Sequence, residues 1–187
     1  FFFHACKDTP DVRSVFLRSL RKLDCVAEIA VARKIPNLYQ ANHNGRPEEF
    51  YADVLSHLIK NQMKKDATIV LNIAERGSST REKVLFDALK IAKERAQKKF
   101  GDTVKANIVF NVQNPITEPL LNVADYLCWS VQRVFEKGEI RHYNYLKDKI
   151  RLVVDLYDTD SYSNWGNYYD PKKNPLTAEN KIVPQST

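Results

Sequence analysis

The sequence predicts an α/β domain, and three observations carry that reading. Segments with apolar residues at helical spacing alternate with short β-branched runs, in the order helix, strand, helix, strand, helix, strand, helix. The composition, 43% hydrophobic and 28% charged, is that of an ordinary globular protein. The length of 187 residues fits one domain and leaves little room for a second independent core. Parallel pairing through crossover helices is the expected outcome.

The elements follow in chain order. The opening Phe1-Phe2-Phe3-His4 has no turn or capping residue ahead of it and reads as the inside of a strand. Either a segment has been removed or the chain begins partway through a domain. Thr9-Pro10-Asp11 is a helix entry: Thr9 caps free amides, Pro10 suits the first helical position, and Asp11 complements the dipole. Val12, Val15, Phe16, Leu20 and Leu23 then predict an amphipathic helix over 10–23. Residues 25–32 are small, apolar and rich in β-formers, hence a strand. The mixture of Pro36, three asparagines and Gly45 predicts a loop over 35–46.

Pro47-Glu48-Glu49 opens a second helix, with Phe50, Val54, Leu55, Leu58 and Ile59 as its apolar stripe down to Met63. Residues 68–74 form the clearest buried strand, ending on Glu75-Arg76-Gly77. Ser78, Ser79 and Thr80 supply caps for a third helix, which Gly101 stops after Phe100. Val104, Ala106, Ile108, Phe110 and Val112 alternate as a strand that Asn114-Pro115 terminates. A fourth helix is expected from Thr117 to Lys137, ended by Gly138. A fifth is expected within 140–157, on Leu146, Ile150, Val153 and Val154. The domain is therefore placed at 1–157, and 158–187 reads as an irregular tail that Trp165, Tyr168 and Tyr169 strap over it.

A formal charge of +6 and a pI near 9.1 favour a polyanionic partner such as nucleic acid, although the basic residues are dispersed and many read as solvated helix faces. Cys6, Cys25 and Cys128 lie far apart and leave one unpaired under any pairing, which points to a reducing, cytoplasmic setting. No apolar run reaches the roughly 20 residues of a membrane span. The five glycines form no phosphate-cradling loop or dinucleotide fingerprint, and the four histidines show no zinc spacing.

The remaining candidate chemistry is acidic. On the fourth helix Leu120, Ala124, Leu127, Cys128, Val131, Val134 and Phe135 gather on one face. Glu118 and Asp125, seven apart, fall on nearly the same side, about 120° from the centre of that face. A solvated surface also carries such a pair, and Glu118 has a second role as a dipole-favoured acid of the first turn. Glu75 follows a buried strand, where parallel α/β sheets gather their ligand sites, or else it pairs locally with Arg76. His4, beside three phenylalanines, reads as a satisfied core or edge residue, with a polar anchor near the same region as the other reading.

The run Gln113-Asn114-Pro115-Ile116-Thr117-Glu118-Pro119-Leu120-Leu121-Asn122-Val123-Ala124-Asp125-Tyr126, continued by Cys128-Trp129, Gln132-Arg133 and Glu136, resembles the family known as the domain of unknown function numbered 3800. Phe3-His4-Ala5 with Asp8, Val12 and Arg13, the Phe50-Tyr51 helix, and Ala74-Glu75-Arg76-Gly77 extend the likeness over nearly the whole chain. The resemblance implies a ribonuclease H-like mixed sheet flanked by helices, and a metal-dependent nuclease or phosphodiester hydrolase using Mg²⁺ or Mn²⁺ on DNA or RNA. It implies Asp125 as the last-helix metal ligand, Glu118 as a neighbouring acid and Glu75 at the central-strand position. Glu48, Glu49 and Asp53 lie on the helix that would supply a further acid, and the choice among them stays open. The family's Asp-Glu-Ser-Gly-like first strand has no counterpart here and is expected before Phe1. Without it, the alternative is a catalytically inactive scaffold that binds nucleic acid or a protein partner, in phage defence or a mobile element.

Overall fold

In the computed structural model the described residues are 2–64, 67–75, 82–101 and 105–182. They form six α-helices and five strands: α1 (Pro10–Lys22), β1 (Ala27–Val31), α2 (Pro36–His43), α3 (Pro47–Ile59), β2 (Thr68–Ala74), α4 (Glu82–Phe100), β3 (Asn107–Gln113), α5 (Leu120–Lys137), α6 (Arg141–Leu146), β4 (Ile150–Asp155) and β5 (Tyr168–Tyr169). Parallel and antiparallel pairing both occur, with helices flanking the strands, so the fold is mixed α/β. The chain divides into two compact units, the first holding residues 1–29, 115–154 and 160–187 and the second 30–114 and 155–159.

In the first unit α1 starts as its sequence dictates. Thr9 accepts a hydrogen bond from the Val12 N–H through its side chain, and Pro10 occupies the first turn. Leu17 and Leu20 are its buried residues. The long helix α5 buries Val123, Tyr126, Leu127, Trp129, Val131, Val134 and Phe135 and packs against α6. Gly138 ends α5 at φ 68, where a Cβ would stand 3.1 Å from the Ala178 carbonyl oxygen, so a side chain there meets backbone strain and a tight contact. β5 pairs antiparallel with β4, Val153 opposite Tyr169 and Val154 opposite Tyr168, and β4 lies between β1 and β5 in strand order.

In the second unit β2 and β3 run parallel, with Thr68 opposite Asn107 and Ala74 opposite Gln113. Helices α3 and α4 cover one face of this ribbon. Ile59, Met63, Ala92 and Ala96 form the buried centre, and Leu71, Ile108 and Phe110 pack on it from the strands. The alternation is the signature of a half-covered sheet, since Val70 and Val109 point to the exposed face.

Five expectations are corrected. Residues 2–4 are not in a strand, and β2, expected to be buried, has one exposed and one half-covered face. Residues 36–43 are helical: Pro36 sits in the first turn of α2, and the turn formers Asn44 (φ 51) and Gly45 (φ 64) are its left-handed end rather than a loop. The helical pattern after Gly138 stops at Leu146, and residues 150–155 are β4. There Ile150, Val153 and Asp155 are buried while Arg151 is exposed, a strand rhythm set by β-branched residues. The tail is also less irregular than its composition implies, because Tyr168–Tyr169 joins β4 as β5. The expected caps Ser78, Ser79 and Thr80, like Val104, lie outside the described residues.

Candidate functional site

The site of greatest chemical interest in the first unit is built by α5 and the turn that precedes α1. Residues 4–8 fold back on themselves, with the Lys7 and Asp8 N–H groups both donating to the His4 carbonyl at 2.9 Å. Side chains hold this turn to α5. The buried Ala5 donates its N–H to Asp125 Oδ2 at 2.8 Å, and Tyr126 donates its hydroxyl to Asp8 Oδ2 at 2.6 Å. Asp8 also accepts from the His4 N–H at 2.9 Å. Burial, then the Asp8 hydrogen bond and charge, push the Tyr126 phenol well above its usual range, so it stays a donor.

His4 Nδ1 stands 3.5 Å from Asp125 Oδ2 and 3.3 Å from the Cys6 nitrogen, which donates to it. One nitrogen cannot serve both partners in the same protonation state. Neutral, it accepts from Cys6; protonated, it donates to Asp125. The pair is accessible, with side-chain exposures of 34% for His4 and 41% for Asp125.

Glu118 precedes α5 and accepts from the Leu120 N–H through Oε1 at 3.3 Å, the end-of-helix role open to it from its position. The buried face of α5 is rotated from the expected one. Leu120, Ala124 and Cys128 are exposed, whereas Tyr126 and Trp129 are buried with Asn122 and Ser130. The two aromatic rings set the face, and aliphatic spacing alone omits them. Glu75 belongs to the second unit. It is exposed, and its N–H donates to the Gln113 carbonyl at 2.9 Å, extending the β2–β3 ladder at its carboxyl end. Its neighbour Arg76 lies outside the described residues.

Among the three α3 acids, Asp53 is distinguished from Glu48 and Glu49. Glu49 takes Asn44 and Arg46 as partners near the start of the helix. Asp53 is the centre of a network that sequence reasoning missed, because its members come from four separate segments. Tyr157 donates to Asp53 Oδ2 at 2.7 Å, His43 Nε2 lies 3.3 Å from the same oxygen, and Arg95 binds Oδ1. Arg95 also reaches the Asp53 carbonyl at 3.2 Å and the buried Ser56 hydroxyl. Burial opposes ionisation of Asp53, but the hydrogen bonds from Tyr157 and Arg95, with the guanidinium charge and His43, outweigh it and hold the carboxyl below its usual range. His43 is 3% exposed, and its Nδ1 is buried with no hydrogen-bond partner.

The metal set implied by the resemblance needs acids from several elements to converge. Asp125 and Glu118 belong to one unit and Glu75 to the other. Among the described residues no three His, Cys, Asp or Glu side chains form a group able to hold a metal ion. Asp125 Oδ2 and Glu118 Oε1 are moreover engaged by backbone N–H groups. No helix among the described residues is long and apolar enough to cross a membrane. No protein-family model matches the chain, and no curated protein or solved structure matches it.

Proposed function

We propose that this chain is a nuclease-like domain of the ribonuclease H-like kind, acting on the phosphodiester of DNA or RNA, with Asp125 as its central acid and His4 as the base beside it. The observation that supports this reading is the accessible His4–Asp125 pair, 3.5 Å apart. An imidazole within reach of a carboxylate is a common arrangement for moving a proton in general acid–base chemistry. Tethering both groups to one turn by the Ala5 and Asp8 hydrogen bonds holds that geometry before substrate arrives. The chain's own residues thus supply a positioned base, and the basic surface charge draws the polyanion toward it. No step is assigned to Mg²⁺ or Mn²⁺, because the described donors do not assemble around one.

The second reading is a non-catalytic scaffold that binds nucleic acid or a protein partner. Cleavage of labelled single-stranded DNA, duplex DNA and RNA, each with and without Mg²⁺ or Mn²⁺, separates the two when wild type is compared with Asp125→Asn and His4→Gln. The nuclease reading expects both substitutions to lower cleavage by about a hundredfold or more, the usual worth of a positioned acid or base. Equal cleavage by all three proteins removes the pair from the reaction. Salt-sensitive binding without cleavage by any of them establishes the scaffold.

A further inference from the structure

In the second unit, a set of cationic side chains lines the edge where α3 meets α4. Lys60 follows α3 directly, and Lys99 and Arg95 are one turn apart on α4. Lys60 Nζ lies 3.3 Å from His57 Nδ1, and Lys99 Nζ donates to Asn61 Oδ1 at 3.3 Å, so two ammonium groups are held at neighbouring positions by neutral acceptors. The carboxylate that acts on Lys60 and His57 is Asp53. Its oxygens are already bound by Arg95, Tyr157 and His43. The charges acting on Lys60 are thus two cations, Arg95 and Lys99, against one carboxylate, Asp53.

The electrostatic consequences agree. Burial, then the charges of Arg95 and Lys99, hold the Lys60 ammonium below the usual lysine range. Burial, then Arg95 and Lys60, pull His57 down to about 4, so its imidazole is neutral at physiological pH and leaves Lys60 as the donor. A cation crowded by other cations is relieved by an anion that bridges them, and ammonium groups are good point-charge donors to phosphate oxygens.

We infer that Lys60 and Lys99, backed by His57 and Arg95, form an oxyanion site that takes a phosphate group. The phosphate comes either from a free phosphate compound or from a nucleic-acid backbone. The site involves neither Asp125 nor His4, so it stands or falls separately from the function proposed above.

Thermal unfolding tests it. Inorganic phosphate and chloride are compared at matched ionic strength for wild type and for the double variant Lys60→Gln, Lys99→Gln. Both lysines have exposed surface, and neutralising them relieves repulsion, so the variant is expected to fold with an unshifted or higher midpoint. Phosphate should raise the wild-type midpoint beyond chloride and lose that excess in the variant, as ligand linkage requires. Each lost charge-assisted contact should weaken phosphate binding by about tenfold to a hundredfold. The His57 imidazole resonances should move on phosphate addition to wild type. An equal phosphate effect in both proteins, or unmoved His57 resonances at saturating phosphate, overturns the site. Given phosphate binding, an oligonucleotide that displaces phosphate identifies the nucleic-acid backbone as the source, and one that does not identifies a free phosphate compound; either result accompanies a confirmed site.

Discussion

Asp53 and Asp125 are both helix-borne carboxylates with a histidine beside them, yet they serve opposite ends. Asp53 is 16% exposed and has Arg95 on one oxygen and Tyr157 and His43 at the other. Asp125 is 41% exposed and keeps one backbone donor and one loosely placed imidazole. The difference teaches which acid stores stability and which retains chemical freedom. A carboxylate held by several donors is difficult to recruit, whereas a half-exposed one can be reached by a substrate.

The sharpest way to break this contrast is Asp53→Ala. It leaves the Arg95 guanidinium without its partner in a half-buried site and should cost about 3–5 kcal/mol in denaturant unfolding, as loss of one member of a buried ion pair does. A cost below about 1 kcal/mol would show that the network stabilises no more than a surface pair does. Tyr157→Phe removes one hydrogen bond to the same charged oxygen and should cost about 1.5–3 kcal/mol in the same experiment. Asp125→Asn should cost less than about 1 kcal/mol, because the amide oxygen still accepts from the Ala5 N–H.

Acid titration sharpens the comparison through its sign. The lowered Asp53 carboxyl contributes stability that is present above its ordinary range and is lost as pH falls through its folded value. His57 acts earlier. Its folded value of about 4 lies below the ordinary 6.5, so the unfolded chain binds the extra proton between these limits and stability falls as pH drops from 6.5 toward 4. His57→Asn keeps an acceptor for Lys60 but cannot titrate, and should flatten the stability profile in that window. A slope unchanged from wild type would mean that His57 is as readily protonated folded as unfolded.

Much of the fold was legible in local pattern. Residues 68–74 match β2 residue for residue, Thr9 and Pro10 start α1, and Gly101 and Gly138 mark the ends of α4 and α5. Errors arose where one pattern served two purposes. Asn44-Gly45 reads as loop composition, yet these residues are the left-handed end of α2. Ile150, Val153 and Val154 fit helical spacing as well as strand alternation, and pairing with Tyr168–Tyr169 decides for the strand. The site divided the same way. Asp125 and Glu118 were expected as a pair seven apart on one helix, but Glu118 lies before α5 and serves its start, and only the folded turn brings His4 to Asp125. Asp53 was visible only as one of three acids on α3, because Tyr157, Arg95 and His43 reach it from distant parts of the chain.

The most direct test of the account is single-turnover cleavage of a labelled oligonucleotide by wild type and by Asp125→Asn, with the unfolding midpoint of each protein measured on the same preparation. The account predicts a loss of about a hundredfold or more in rate with nearly unchanged stability. Equal rates, at equal stability, would contradict it and leave Asp125 a structural anchor for the turn at residues 4–8.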